Sequence, residues 1–116
     1  MQLTELIPFL TDILEDSKAK EITFLDVHTM TTITDYMVIC SGTSTRHVKS
    51  IAKNVEEKCK ANQMRPLTIE GEADGEWVLV DLGDAIIHIM LPAVREFYAL
   101  EKLWSVPDDD TDYPEK

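Results

Sequence analysis

Apolar positions recur along the chain with two different periods, and the changes between them divide it into helices and strands. Near the N-terminus they return at the three- and four-residue spacing of an amphipathic helix, which predicts a helix over residues 3–18. Pro8 must lie in the early part of that helix or kink it, because proline has no backbone N–H to donate. Residues 22–27 are rich in β-forming side chains and predict a strand, which a threonine-rich loop over 29–34 follows.

The middle of the chain predicts a buried strand and then a second helix. Residues 36–41 (YMVICS) form a nearly continuous apolar run, which is typical of a strand buried on both faces. Gly42 ends this strand, and Thr43 or Ser44 can cap the next helix, because a hydroxyl accepts from free N–H groups in the first turn. Asn62 is the predicted end of this helix. Its apolar face consists of Val48, Ile51, Ala52, Val55 and Cys59.

The C-terminal part of the chain predicts a short strand, a hairpin and a closing helix. The short strand covers residues 67–70. The runs 77–82 and 85–91 flank a Gly-Asp pair, and two β-rich runs separated by two such residues predict a β-hairpin. Pro92 suits the first turn of a helix, whose apolar positions continue to Trp104.

This order of elements predicts an α/β fold class: a single domain with a mixed β-sheet of about five strands flanked by helices. A chain of 116 residues has room for one domain. The segment from strand 36–41 to strand 67–70 is long enough for a parallel crossover. The domain is expected to cover residues 1–105. Residues 106–116 are expected to form a disordered acidic tail, because the last ten residues hold five acids and two prolines.

The charge of the chain narrows the choice of partner. A formal net charge of −11 argues against binding to nucleic-acid phosphates, which requires a Lys/Arg surface, and against docking on anionic membranes. It suits a basic protein partner, because complementary charge accelerates encounter. A charge that only keeps the protein in solution is the other interpretation.

Cysteine content and hydropathy indicate a reducing, cytoplasmic setting. Cys40 and Cys59 sit on predicted regular elements without metal-ligand spacing, as small core residues would. The N-terminus lacks the basic region of a signal peptide, and no apolar run approaches the length of a membrane span.

One sequence segment has the layout of an enzymatic site. Cys40 and Arg46 are separated by five residues between a strand and a helix, as in the loop of a tyrosine phosphatase. That chemistry needs a thiolate at the helix N-terminus and an arginine that binds the phosphoryl oxygens. His47 stands where a supporting hydroxyl residue is usual, and no Asp-Pro general acid follows. The alternative is a buried Cys40 at a strand end and an exposed Arg46.

Other catalytic and metal-binding patterns are weaker, and no cofactor or metal is predicted. A nucleotidyltransferase needs paired carboxylates for Mg²⁺, but the helix after Gly42 carries no such pair. The acids between Glu70 and Asp81 partly mimic a calcium loop, although strands flank them instead of helices. A solvated acidic loop is the preferred interpretation. Trp77 follows this loop at the start of a strand, where an indole serves equally well as an interface anchor or as a core residue.

Several segments together resemble the ribosomal silencing factor (Iojap-like) family. Each segment is weak alone, and the set is specific. The resemblance extends from residue 1 to about residue 105, and the tail beyond Trp104 lies outside it. The matching pieces are Leu25-Asp26-Val27, TDYMVI at 34–39, SGTSTRHV at 41–48, Glu70-Gly71, GEWVLVD at 75–81, Gly83-Asp84, His88, Arg95, Tyr98, Leu100-Glu101 and Leu103-Trp104.

The resemblance implies a non-enzymatic repressor of translation whose fold is nucleotidyltransferase-like but lacks the catalytic acids. Such proteins bind ribosomal protein fourteen of the large subunit, a basic protein at the subunit interface. There they block joining of the small subunit during starvation or stationary phase. Some relatives are tied to assembly of the large subunit. Homodimers are expected, without sequence-specific nucleic-acid binding.

The expected partner-binding surface is centred on Trp77, which acts as the apolar anchor. Carboxylates that would face Lys and Arg of the ribosomal protein are those of Glu70, Asp81 and Asp84. Leu82, beside the turn, would add apolar area. Arg95 and Tyr98, early in the last helix, are expected to border the same surface.

Overall fold

All eight predicted elements are present in the computed structural model, which describes residues 3–99 and residue 102. The predictions for Trp104 and for the tail over 106–116 lie outside these residues. The helices are α1 (Leu3–Asp16), α2 (Thr45–Ala61) and α3 (Pro92–Tyr98). The strands are β1 (Lys20–Asp26), β2 (Tyr36–Ser41), β3 (Thr68–Glu70), β4 (Trp77–Asp81) and β5 (Ala85–Met90).

The strands of the described chain form one mixed sheet in the order β1-β2-β5-β4-β3, which confirms the predicted fold class. The central strands β2 and β5 run parallel, and the other pairings are antiparallel. Almost every side chain of β2 and β5 is buried, as the apolar run of β2 predicts. The crossover through α2 gives β3 the direction of β2, but the β4–β5 hairpin lies between them.

Helices α1 and α2 cover one face of the sheet. The predicted apolar face of α2 is confirmed, since all five of its members are buried against the sheet. Pro8 lies within α1, in the second turn of the helix. From the sheet, the alternate residues Val38, Cys40, Val78, Val80, Ala85, Ile87 and Ile89 complete this core.

The start of α2 is fixed by two side chains. Ser44 is the N-cap, and its hydroxyl oxygen accepts a hydrogen bond from the His47 backbone N–H at 3.1 Å. The Thr43 N–H donates to His47 Nδ1 at 2.9 Å, so Nε2 carries the ring proton and donates to the Ser17 carbonyl oxygen at 2.9 Å. His47 therefore ties the start of α2 to the chain just beyond α1.

The opposite side of the sheet, which we call the second face, carries a separate and less covered cluster. In the described chain, the helix on this side is α3, which contributes Val94. Because side chains alternate along each strand, the second face consists of Thr23, Leu25, Met37, Ile39, Ser41, Ile86, His88, Met90, Trp77, Leu79, Asp81, Thr68 and Glu70.

A bulge marks the start of β1. The pairing register with β2 shifts between Lys20 and Thr23, and β1 begins two residues earlier than predicted. Within the bulge, Glu21 has a left-handed backbone with φ of 50°, which is unusual for a residue other than glycine. The bulge turns the backbone of Glu21 out of the regular ladder.

Candidate protein-binding surface

Trp77 and Tyr98 form an aromatic pair on the second face. Trp77 opens β4 and is half-buried, and its ring centroid lies 4.9 Å from that of Tyr98, with the ring planes tilted by 51°. Tyr98 is 51% exposed, and Phe97 is 79% exposed and packs edge-on against Tyr98. The three rings therefore present a continuous aromatic surface to solvent, of the kind that carries binding energy in protein interfaces.

His88 holds the indole of Trp77 in place. The Trp77 Nε1–H donates to His88 Nδ1 at 2.9 Å, so the neutral ring of His88 carries its proton on Nε2. His88 is buried in β5, and burial lowers its pKa to about 4. A protonated His88 would present an N–H to the N–H of Trp77, so the hydrogen bond requires the neutral ring.

This pKa predicts a pH-dependent stability. Between the ordinary pKa of 6.5 and about 4, the unfolded chain binds a proton at His88 that the folded chain does not. Stability should therefore be complete above pH 6.5 and fall as the pH drops towards 4, by about 3 kcal/mol for this group. Urea unfolding at a series of pH values measures the change.

The matched control for the pH series is His88→Gln, whose amide oxygen can accept from the Trp77 N–H but does not titrate. As the pH falls from 6.5 towards 4, the unfolding free energy of the wild type should drop by about 3 kcal/mol relative to that of this variant. A difference that stays constant from pH 7 to pH 4 would contradict the assignment of the lowered pKa to His88.

Glu70 lies diagonally across from Trp77 on the second face, whereas the hairpin turn lies at the other end of β4. Glu70 is exposed and pairs with Leu79, which is two residues from Trp77 along the second face. From Trp77 to Asp81 the strand spans about 13 Å. The structure therefore brings Trp77 and Tyr98 together, places Glu70 on the neighbouring strand of the same face, and sets the turn residues apart from them.

The predicted turn residues differ in their availability. Asp81 accepts a hydrogen bond from the Gly83 N–H at 2.8 Å, so its carboxylate helps to close the turn. Leu82 is half-buried and packs against the core on the helix-bearing side. Asp84 is exposed, and its carbonyl oxygen accepts from the N–H groups of Asp35 and Tyr36. The Asp84 carboxylate is thus the most accessible of the three side chains.

Arg95 does not border the surface as expected, because it is buried beneath α3 with only 7% exposure. Its guanidinium donates to the Glu21 carbonyl oxygen at 2.7 Å, to Ser41 Oγ at 3.1 Å and to Thr23 Oγ1 at 3.2 Å. Sequence periodicity places Arg95 on the helix but gives no sign of these acceptors, which come from β1 and β2. Arg95 therefore contacts the fold instead of solvent.

The structure does not arrange Cys40 and Arg46 as a phosphatase loop would require. Cys40 is fully buried in β2, and burial raises its pKa to about 12 despite the opposing effect of the nearby Arg95 charge. Arg46 lies on the exposed first turn of α2. A buried neutral thiol cannot supply the thiolate that this mechanism needs, so Cys40 is a core residue.

Side chains of the acidic loop between β3 and β4 point into solvent. Glu72, Asp74 and Glu76 are exposed, and Gly75 is packed against Thr45 and Lys49 of α2. Over residues 3–99 and 102, no group of three or more His, Cys, Asp or Glu side chains is arranged to hold a metal ion. None of the helices in that same part of the chain is long and apolar enough to cross a membrane.

Fold and surface together define a small α/β domain that presents aromatic and acidic side chains on the second face of its sheet. A family model described as "Ribosomal silencing factor during starvation" matches residues 1–116. The chain belongs to the ribosomal silencing factor family, which makes it a ribosome-associated translational regulator.

Individual relatives agree with this assignment. The chain is 41% identical over 104 residues to ribosomal silencing factor RsfS of Chromobacterium violaceum, covering 90% of this chain and 85% of that protein. It is 38% identical over 109 residues to a Mus musculus protein named mitochondrial assembly of ribosomal large subunit protein 1, covering 90% of this chain and 47% of the mouse protein. A crystal structure of a Chromobacterium violaceum protein superposes with a TM-score of 0.87 at 38% identity, covering 99% of this chain and 98% of the other.

Proposed function

We propose that this protein binds the large ribosomal subunit through ribosomal protein fourteen and blocks joining of the small subunit. The observation that carries the proposal is the solvent-facing Trp77–Tyr98 pair, half-buried at Trp77 and exposed at Tyr98, in a chain that belongs to the ribosomal silencing factor family. The mouse relative is named for assembly of the mitochondrial large subunit, which favours the large subunit as the partner. Starvation or stationary phase is the proposed setting.

Charge supports a protein as the point of contact on the ribosome. A net charge of −11 repels the RNA that makes up most of the ribosomal surface. A basic ribosomal protein exposed within that RNA attracts the same charge, and the surrounding phosphates disfavour binding elsewhere. An acidic domain therefore selects a basic protein patch from a polyanionic surface.

The proposed contact has an aromatic centre and an acidic rim. Trp77 and Tyr98 supply apolar area that becomes dry on binding, as hot-spot residues do. The carboxylates of Glu70 and Asp84 face Lys and Arg of the ribosomal protein. Asp81 and Leu82 shape the turn that presents Asp84, and so contribute mainly through its geometry.

Co-sedimentation of the purified protein with isolated large and small subunits tests the proposal, followed by a subunit-joining assay. We expect binding to the large subunit alone and a dose-dependent loss of joined ribosomes. Failure to bind the large subunit at physiological salt would overturn the proposal. Light scattering of the purified protein would measure its molar mass and test the accompanying proposal of a homodimer.

Charge reversal at the rim should weaken this binding. Glu70→Lys should lower affinity for the large subunit about fivefold, because it places a like charge opposite the basic partner. The loss should diminish at high salt, since exposed charges are screened there. Affinity measured by titration at two salt concentrations checks both statements.

The matched control for charge reversal is Asp12→Lys, which makes the same change at an exposed position of α1, on the other side of the sheet. Asp12→Lys changes the net charge by the same amount as Glu70→Lys. Its loss of affinity therefore reports only the long-range electrostatic contribution to binding. Equal losses from the two variants would show that Glu70 has no local role and would remove it from the proposed contact.

A further inference from the structure

Helix α3 depends on the rest of the fold for its position. It has seven residues, too few to be stable alone in water. Ala99 ends it in a left-handed conformation with φ of 50°, and the Ala99 N–H donates to the Arg95 carbonyl oxygen. A cavity of about 720 Å³ lies beside the helix, lined in part by Lys20, Ser41 and Ala99. Apolar packing on that side is therefore incomplete.

Arg95 lines this cavity, and its guanidinium reaches from α3 to the sheet. Among the described residues its acceptors include Glu21, Ser41 and Thr23 of β1 and β2, which lie 74, 54 and 72 residues away in sequence. Hydrogen bonds from a charged group are stronger than those from a neutral one. The planar guanidinium holds its N–H donors in a rigid arrangement, so binding several acceptors at once fixes both the position and the orientation of the Arg95 side chain. Arg95 thus fastens α3 to the far edge of the sheet.

One of these acceptors is made available by the bulge in β1. The left-handed backbone at Glu21 takes its carbonyl oxygen out of the strand ladder, and that oxygen accepts the shortest of the three hydrogen bonds at 2.7 Å. A left-handed conformation is unfavourable for glutamate, so the bond to Arg95 helps to maintain it. The bulge and the arginine stabilise each other.

Tyr98 lies one turn after Arg95 on the same side of α3, because residues three apart on a helix are neighbours. The distance of 4.9 Å between the Tyr98 and Trp77 rings therefore depends on where Arg95 holds the helix. We infer that Arg95 is a positioning residue for the partner-binding surface: it fastens α3 to the β1 bulge and so holds Tyr98 against Trp77 without contacting the partner. This inference rests on the proposed function.

The test compares Arg95→Lys with the wild type by two measurements. Lysine keeps the charge but loses the fork, and the control Arg46→Lys makes the same change at an exposed arginine of α2. Nuclear Overhauser effects between the Tyr98 ring and the Trp77 indole report the pair in the isolated protein. Affinity for the large subunit reports the function, and urea unfolding shows what fraction of each variant is folded.

We expect Arg95→Lys to weaken the Tyr98–Trp77 effects and to lower affinity about tenfold, while Arg46→Lys changes neither. In a Tyr98→Ala background, Arg95→Lys should cost no further affinity, because the residue it positions is absent. Glu21→Val should cause the same loss of affinity, because a β-branched residue disfavours the left-handed backbone of the bulge. Residue 21 lies far from Arg95 in sequence, so this variant tests the contact from its other side.

Two results would overturn the inference. Unchanged Overhauser effects in a folded Arg95→Lys variant would mean that Arg95 does not position Tyr98. Losses that add fully in the double variant would mean that Arg95 acts independently of Tyr98, as a residue of purely structural importance would. If the wild type itself fails to bind the large subunit, the proposed function fails, while the Overhauser effects still decide whether Arg95 positions Tyr98.

Discussion

Replacing Trp77 with alanine should lower affinity for the large ribosomal subunit by about 2 kcal/mol or more, which is a factor of about 30. The indole contacts Tyr98 at the centre of the proposed surface, where large aromatic side chains carry much of the binding energy. The substitution takes away the indole that contacts the Tyr98 ring and the N–H that donates to His88 Nδ1. Titration of the variant with isolated large subunits measures the loss.

The control for Trp77→Ala is Leu67→Ala. Leu67 is also a large apolar residue and is 67% exposed, but it precedes β3 on the edge of the sheet, where strand alternation points it to the helix-bearing side. Its truncation should change affinity by less than about twofold. If folded Trp77→Ala binds the large subunit as tightly as the wild type, the aromatic pair is not the contact and the proposed surface is wrong.

Gly71→Ala should destabilise the protein by about 3 kcal/mol and weaken ribosome binding together. Gly71 follows β3 with φ of +89°, and an added Cβ would lie 2.1 Å from the carbonyl oxygen of Trp77. A backbone oxygen cannot rotate away, so the start of β4 must shift and carry the indole with it. Urea unfolding gives the loss of stability, and subunit titration gives the loss of binding.

Gly83→Ala is the natural comparison for Gly71→Ala. Gly83 has nearly the same φ, +90°, but its added Cβ would meet only Leu67 Cδ1 at 3.7 Å, an ordinary contact. Only the left-handed backbone then opposes the substitution, at about 1 kcal/mol. Equal destabilisation by the two variants would mean that the close approach to Trp77 does not matter.

The elements of the fold could be predicted because their signals are local. The continuous apolar run of β2, the Ser44 cap and the two-residue turn before β5 each depend on residues within one short segment. Strand order is not local. The parallel crossover from β2 was predicted, but placement of the β4–β5 hairpin between β2 and β3 depends on pairing that no short segment encodes.

The site was partly predictable for the same reason. A two-residue turn fixes the register of the hairpin, so Trp77 and His88 fall on diagonal positions of one face, and this signal could have identified His88. The burial of Arg95 could not be found in this way. The burial of Arg95 depends on a bulge at Glu21, which is far away in sequence. A glutamate rarely adopts a left-handed backbone, so the residue type at position 21 does not predict the bulge.

The place of β5 in the sheet has a consequence for folding. Among the described residues it is the last strand, yet it lies in the centre of the sheet, where its hydrogen bonds connect β4 and β3 to β2 and β1. Until β5 is inserted, the apolar edge of β2 is unpaired, and a chain arrested there would be prone to aggregate. The Trp77–His88 bond also needs both hairpin strands. The aromatic surface should therefore appear in one cooperative step with the completed sheet, so that a partly folded chain is inert towards the ribosome.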